Sequence, residues 1–248
     1  MKPLGYIAYE GPSMFDGMPI VVIINKIDDA SKNEKTGALA QSFILRTDID
    51  PVSALRLGQD ASVCGNCIHR PILAQQTGSA PCYVQVAKSV LSVWKAYKRG
   101  RYEKLTPEQI GLKLAGKQLR IGTYGDGAMA PVSVWQALTV HTAGHRGYTH
   151  QWQESFFDVG AWSPLVMASV DSIDERAKAN AIGMRTFRVS IGVSKDRREA
   201  TCPASAEGGR RLTCAQCTLC SGTSVRANDV VIADHAVGHK KRIPLIAA

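Results

Sequence analysis

Seven cysteines stand in this chain, and their spacing is not that of packed core residues. Toward the C-terminal end Cys202, followed by Pro203, precedes Cys214, Cys217 and Cys220 in a C-P-x10-C-x2-C-x2-C run. Upstream, Cys64 and Cys67 form another C-x2-C, and Cys82 follows after fourteen intervening residues. A C-x2-C pair places two sulfurs on one tight turn, the arrangement by which a chain shares a metal between thiolates. The cysteines divide into one group of four and one of three, with none left over.

Two metals compete for these groups. Zinc takes four cysteines, or three with a histidine, and a knuckle built from Cys64-x2-Cys67 and Cys214-x2-Cys217 would suit it. Cys214, Cys217 and Cys220, three sulfurs within seven residues, have a spacing common for one 4Fe-4S cluster, with Cys202 as fourth ligand, and iron is the favoured reading. Cys64, Cys67 and Cys82 are one ligand short. Either a cluster there has an open iron, or His69 or His235 closes it, or these thiols bind no cluster. An open iron can bind substrate or a chelating cosubstrate, whereas a fully ligated cluster transfers electrons or holds the fold. Chemistry is therefore expected at the group of three, and electron relay or stapling at the tail.

The rest of the chain bounds what such sites belong to. At 248 residues it can bury one full core, and a single domain is expected: N-terminal strands over 1–60, a βα core over 61–200 and a cysteine-rich tail over 201–248. No run of about 18 apolar residues marks a transmembrane helix, and the N-terminus lacks a signal peptide's apolar segment. A cytoplasmic, reducing location follows, with no membrane partner, in which clustered cysteines are more readily metal ligands than disulfides. The net charge of +9 suits a polyanion such as nucleic acid or a nucleotide, and equally a solvated basic surface.

The elements that must position the cysteines follow from hydrophobic pattern. Pro19 to Ile24 and Ser42 to Arg46 read as strands joined by a polar connection over 28–37. Cys82 directly precedes an expected helix whose apolar face is Tyr83, Val86, Val90, Val93, Trp94 and Tyr97. Lys88, Lys95, Lys98, Arg99 and Arg101 lie largely off that face. Thr106 as N-cap, Pro107 and Glu108 open a further helix ending near Gly116. From Leu119 the pattern alternates: strands over 119–124, 147–150, 165–170, 186–191 and 230–233, with helices over 132–143 and 172–182. Strands alternating with helices imply a parallel sheet, and the count predicts an α/β fold with a partial or closed βα barrel of TIM type.

In such folds chemistry collects beyond the carboxyl ends of the strands. The residues there are Tyr124, Gly125 and Asp126; His150 and Trp152; Ser169 and Asp171; Arg188 and Ser190; and Asp234 with His235. Asp126, His150 and Asp171 are the candidate catalytic groups. Tyr124, Gly125, Asp126, Ser169 and Arg188 are candidates for holding a cofactor. Asp171 or Ser172 also fits as a cap of the following helix, and His150 as a satisfied interior histidine.

Cys64-x2-Cys67, Cys82-Tyr83, Tyr124-Gly125-Asp126, Tyr148-Thr149-His150, Ala168-Ser169-Val170-Asp171, the terminal Cys-Pro and C-x2-C-x2-C, and Asp234-His235 together resemble a group of uncharacterised phage-encoded iron-sulfur proteins. These in turn are similar to the radical S-adenosylmethionine barrels. The resemblance spans about residues 60 to 240. It implies a partial barrel, a three-cysteine cluster near its mouth, and Gly125-Asp126 holding the cosubstrate's amino group. Where the radical family's loop reads C-x3-C-x2-C, this chain separates its second and third cysteines by fourteen residues. The resemblance implies a redox enzyme of host cytoplasm, fed by an electron donor and acting on a nucleotide, nucleic acid or peptide. Against it stands a non-enzymatic iron-sulfur or zinc protein that binds nucleic acid through its lysines and the Lys240-Lys241-Arg242 run, or a metal-stapled scaffold.

Overall fold

The computed structural model describes residues 3–28, 36–78, 82–190 and 195–233. Most of the polar connection expected over 28–37, together with Asp234, His235 and Lys240-Lys241-Arg242, lies outside the described residues.

The chain opens with three antiparallel strands, β1 (Gly5–Pro12), β2 (Pro19–Asn25) and β3 (Leu39–Arg46). The Ile and Val run of β2 is buried throughout, as β-branched side chains on a sheet covered on both faces require. Short helices follow, α1 (Pro51–Arg56), α2 (Ala61–Cys64) and α3 (Pro71–Thr77), then α4 (Leu91–Lys98), a two-residue strand β4 (Glu103–Lys104) and α5 (Pro107–Lys113). The remainder alternates: β5 (Gln118–Tyr124), α6 (Val132–Thr139), β6 (Gly144–Thr149), α7 (Val159–Trp162), β7 (Met167–Val170), α8 (Ile173–Ala181), β8 (Thr186–Ser190), β9 (Glu199–Thr201) and β10 (Asp229–Ala233). All ten strands form one sheet in the order β4-β1-β2-β3-β5-β6-β7-β8-β10-β9. From β3 to β9 every neighbouring pair is parallel. The expected α/β class with a parallel sheet is therefore present. The sheet has two edges, β4 and β9, so the closed form of the barrel is not made.

Local chemistry explains the clearest boundaries. The Thr106 hydroxyl accepts the Gln109 N–H at 3.3 Å while the Gln109 side chain accepts the Thr106 N–H at 3.0 Å, a reciprocal box that starts α5. Ser172 caps α8 by accepting the Glu175 N–H at 3.1 Å. The cap is thus Ser172, which leaves the Asp171 carboxylate for other work.

The helix expected from Tyr83 is corrected. Residues Val86–Val90 make a π-turn kinked at Lys88 (φ −99, ψ −111), and the regular helix starts only at Leu91. Val86, Val90 and Val93 are buried as expected, but Tyr83 is exposed and its hydroxyl accepts from Arg120 at 3.4 Å. Three residues of loop therefore separate Cys82 from the first helical turn. Lys88, Lys95, Lys98 and Arg99 are exposed, and Lys98 lies 5.7 Å from the Trp94 ring centroid while donating to the Thr47 carbonyl.

The parallel half of the sheet has two different faces, because successive strand residues point to opposite sides. Leu119, Ile121, Ala168 and Val170 belong to the main core with Trp135 and Leu138 of α6 and Ala179 of α8. Met167, Val230 and Ile232, with Tyr148, Phe187 and Val189, make a second cluster together with Cys202, Cys214, Leu219 and Cys220. Parallel strands need a long crossover. Between β9 and β10 that crossover is the cysteine segment 202–228, laid over this second face.

The far edge is tied by buried charge. Arg188 grips Glu199 through two bonds of 2.7 Å, and Arg176 reaches Asp229 and Asp196 at 2.9 Å each. Arg188, a candidate for holding a cofactor, is thus committed to the β8–β9 edge. Burial alone would raise the Glu199 carboxyl, but hydrogen bonds from Arg188 and the Asp196 N–H, with the Arg188 and Arg176 charges, outweigh it and hold the group below its ordinary 4.5. Because the folded value is the lower one, the stabilisation is complete above about pH 5 and is lost as pH falls through the depressed value. Urea denaturation at a series of pH values should show stability dropping below about pH 4.5. Glu199→Gln should lower stability at neutral pH by about 3 kcal/mol and flatten the drop; an unchanged acid limb in the variant would contradict the assignment.

Candidate metal centre

The three-cysteine group is assembled around a turn that leaves α2. The Cys67 N–H donates to the Cys64 carbonyl at 3.3 Å, the Arg70 N–H to the Cys67 carbonyl at 3.1 Å, and the Cys82 N–H to the His69 carbonyl at 2.7 Å. The last bond brings the third cysteine back to the first two across the fourteen-residue gap. Cys64 is within electrostatic reach of both Cys67 and Cys82. Arg70, itself buried, donates to the carbonyls of Gly58 and Gly65 and pairs with buried Asp60 at 2.8 Å, so the turn is stapled from within.

Gln151 clamps the same turn from the sheet side. It is fully buried, accepts the Asn66 N–H at 3.2 Å and donates to the Cys64 carbonyl at 3.1 Å. Gly65 has φ +55, and a Cβ there would meet the Gln151 side-chain oxygen at 2.2 Å, so only glycine lets the clamp close.

Asp126 joins this turn to the strand ends. Its N–H donates to the Val63 carbonyl at 2.7 Å. One carboxylate oxygen accepts the Ala128 N–H at 3.0 Å; the other accepts the Thr149 hydroxyl at 3.1 Å, the His150 N–H at 2.9 Å and the Gln151 amide at 3.4 Å. Burial raises this carboxyl above its ordinary 3.8 against the pull of those bonds and of His150. Four protein donors occupy it, which makes it a structural junction between β5, β6 and the cysteine turn. Gly125 beside it is packed: a Cβ would meet Ile44 at 2.8 Å and the Val63 carbonyl at 3.0 Å.

Of the other strand-end residues, Tyr124 is buried against the group, and burial with the Cys64, Asp60 and Cys82 charges pushes its phenol well above 10. Ser169 is buried and its carbonyl accepts the Trp152 indole N–H at 3.1 Å. His150 and Asp171 come together with His69: the His69 ring nitrogen lies 3.0 Å from one Asp171 oxygen and the His150 ring nitrogen 4.0 Å from the other. His235 lies outside the described residues.

The four-cysteine group lies elsewhere. The Cys217 N–H donates to the Thr213 carbonyl, and the Gln118 side chain at the start of β5 donates to the Ala215 carbonyl at 2.7 Å. Arg146, near the start of β6, donates to the Cys217 carbonyl at 2.6 Å, and the Ser221 hydroxyl to the His145 carbonyl at 2.7 Å. Cys202 is held against β10 by donating to the Val231 carbonyl at 2.9 Å. Cys220 is within electrostatic reach of Cys202, Cys214 and Cys217. The two groups therefore stand apart, the four laid over the second face of the sheet against β6, β8 and β10 and the three beyond the carboxyl ends of β5 and β6.

Their electrostatic settings differ. Arg146 is buried within reach of Cys214, Cys217 and Cys220; Arg185 adds its charge near Cys220, and Arg120 near Cys214. Asp60, Asp126 and Asp171 stand near the group of three, with Arg70 as the balancing cation. Burial pushes the thiols of Cys67 and Cys82 up to about 11, although Cys82 as a residue is exposed, and that of Cys220 up to about 12 against a hydrogen bond from Tyr148. No two of the seven cysteines are joined in a disulfide.

Sequence reasoning missed Gln151, Arg70, Arg120 and Arg146. The two strand arginines had a signal: Arg120 sits between Leu119 and Ile121 in an apolar strand and pairs in register with Arg146, so a charge on each was bound for an occupied face. Gln151 and Arg70 gave none.

Fold and site together define an α/β chain with a largely parallel sheet and two separate cysteine groups. No protein-family model matches the chain, and no curated protein or solved structure shows significant similarity to it.

If Asp126 is a junction, Asp126→Ala should lower stability by about 3 kcal/mol or more in urea denaturation, since it strands buried donors. Asp126→Asn should cost roughly half as much, because its amide still accepts on one side. Native stability in the alanine variant would contradict the junction.

Proposed function

We propose that this chain is an iron-sulfur protein with two cluster sites, whose redox chemistry takes place at the group of three. Cys202, Cys214, Cys217 and Cys220 would hold a fully ligated cluster, and Cys64, Cys67 and Cys82 a cluster one ligand short. The observation that carries this reading is the gathering of all seven cysteines, from distant parts of the chain, into those two groups without a disulfide. A 4Fe-4S cluster stores an electron and, where one iron lacks a protein ligand, offers that iron to a substrate.

Spacing in the sequence favours iron over zinc: Cys214, Cys217 and Cys220 put three sulfurs within seven residues, with Cys202 as fourth ligand.

The protein's own contribution follows from its charges. Four thiolates around a cluster make an anionic complex, and Arg120, Arg146 and Arg185 offset that charge at the tail group. Positive surroundings favour the more negative, reduced state, so the tail should hold its electron at a higher potential than the aspartate-flanked group of three. Tyr83, next to Cys82, bonds to Arg120, which in turn lies within reach of Tyr148 and Cys214. Arg120 therefore links the surroundings of the two groups.

We read the sheet as an opened relative of a βα barrel, since the chemistry-bearing loops follow β5, β6 and β7. S-adenosylmethionine, if it is the cosubstrate, must find a holder for its amino group other than Asp126, whose carboxylate is already bonded on both oxygens. No described helix is long and apolar enough to cross a membrane.

Metal and acid-labile sulfide analysis of protein purified without oxygen tests the proposal. Iron and sulfide should be found in equal amounts. Cys214→Ser and Cys64→Ser should each remove about one cluster's worth while leaving the other. Zinc without sulfide would overturn the reading and return the chain to a metal-stapled scaffold.

A further inference from the structure

Beside the three-cysteine group stands a second set of metal-binding side chains that the cluster reading does not use. His69 comes from the cysteine turn, His150 from the end of β6 and Asp171 from the end of β7. One ring nitrogen of each histidine and one oxygen of the aspartate lie within 4.8 Å of one another. His69 Nε2 is 3.0 Å from Asp171 Oδ1, and His150 Nε2 is 4.0 Å from Asp171 Oδ2. The two imidazoles meet edge to face, with centroids 5.5 Å apart and planes at 75°. They point their nitrogens toward one carboxylate rather than stacking.

His150 Nε2 is the informative atom. It is sealed from solvent and has no hydrogen-bond partner among the described residues. At 4.0 Å from Asp171 it is too far for a hydrogen bond, and a buried ring nitrogen left unmet is costly. A cation between the three groups supplies the missing partner. First-row metals bind imidazole nitrogen and carboxylate oxygen at about 2.0–2.2 Å, so neighbouring ligand atoms sit about 3–3.6 Å apart: His69 and Asp171, at 3.0 Å, are already so spaced, and His150 has to close in.

The backbone of each ligand is already fixed. The His150 N–H donates to Asp126 at 2.9 Å, the Asp171 N–H to Glu175 at 2.7 Å, and the His69 carbonyl accepts from Cys82 at 2.7 Å. Three ligands on pinned supports, two imidazoles and one carboxylate, leave coordination positions open and suit a divalent first-row ion. We infer that His69, His150 and Asp171 bind one such ion, next to but separate from the site of Cys64, Cys67 and Cys82. His69 then serves this ion and does not close the three-cysteine cluster.

The test is a titration of the full-length chain, purified without oxygen and with its iron and sulfide already counted, with Mn2+ alone. Manganese prefers nitrogen and oxygen donors to thiolate, so the cysteine groups compete poorly. Loss of the free-ion electron paramagnetic resonance signal should report one Mn2+ per chain at sub-millimolar concentration. His150→Gln, His69→Gln and Asp171→Asn should each weaken binding on the order of 100-fold, while Lys95→Gln, exposed on α4, leaves it unchanged. The two histidines are partly exposed at 22% and 17%, so their glutamine variants remain folded, as circular dichroism will verify, if the aspartate variant does not. Absence of stoichiometric Mn2+, or binding that the glutamine variants leave intact, would overturn the inference. Sulfide without a manganese site removes this inference alone; a manganese site without sulfide removes the cluster proposal alone.

Discussion

A carboxylate taken out of water must be bonded on every side, and Asp126 is the point at which that requirement ties the site together. Its two oxygens accept from Ala128, Thr149, His150 and Gln151, and its own N–H reaches the Val63 carbonyl. Through these bonds the end of β5, the end of β6 and the turn that carries Cys64 share one anchor. Gln151 extends it to the backbone on both sides of Gly65, and Arg70 with Asp60 closes the turn from below. The position of the three-cysteine group therefore depends on a buried ion that touches none of its sulfurs through a hydrogen bond.

Parallel pairing sets the second level of organisation. Strands that run the same way collect their carboxyl ends at one end of the sheet, and each return must cross a face. The return from β9 to β10 is made by the cysteine segment, which crosses the second face and is bonded to Gln118 and Arg146 near the amino ends of β5 and β6. The two cysteine groups are thus held apart, with Arg120 reaching from Tyr83, beside Cys82, toward Cys214. The charges follow the same division. Arginines line the tail and aspartates flank the turn.

Much of this architecture was legible in the residues. The β-branched run of β2, the apolar alternation of β5 and β8, the continuous apolar run of β10 and the Thr106-Pro107 start of α5 all carry local signals that tertiary structure did not override. The C-x2-C pairs were also readable, because short spacing forces short distance, but whether the seven cysteines make one site or two was not, since Cys82 returns to its pair only through the His69 carbonyl. What could not be read was set by long-range contact. Tyr83 fits the apolar period of a helix, yet the kink at Lys88 frees it to meet Arg120. Asp126 and Arg188 have residue types and positions that suit a cofactor, but their partners, from other strands and loops, occupy them. His150 and Asp171 were visible at strand ends, whereas their meeting with His69 depends on how the cysteine turn folds back, which no spacing encodes.

The central claim is that the chain holds two separate iron-sulfur sites, one on the second face of the sheet and one beyond the carboxyl ends of β5 and β6. An anomalous difference map collected at the iron edge from a crystal grown without oxygen tests it most directly. The account predicts two separate iron peaks, one enclosed by Cys202, Cys214, Cys217 and Cys220 and one beside Cys64, Cys67 and Cys82. A single peak joining cysteines of both groups, or peaks that appear only at the zinc edge, would contradict it.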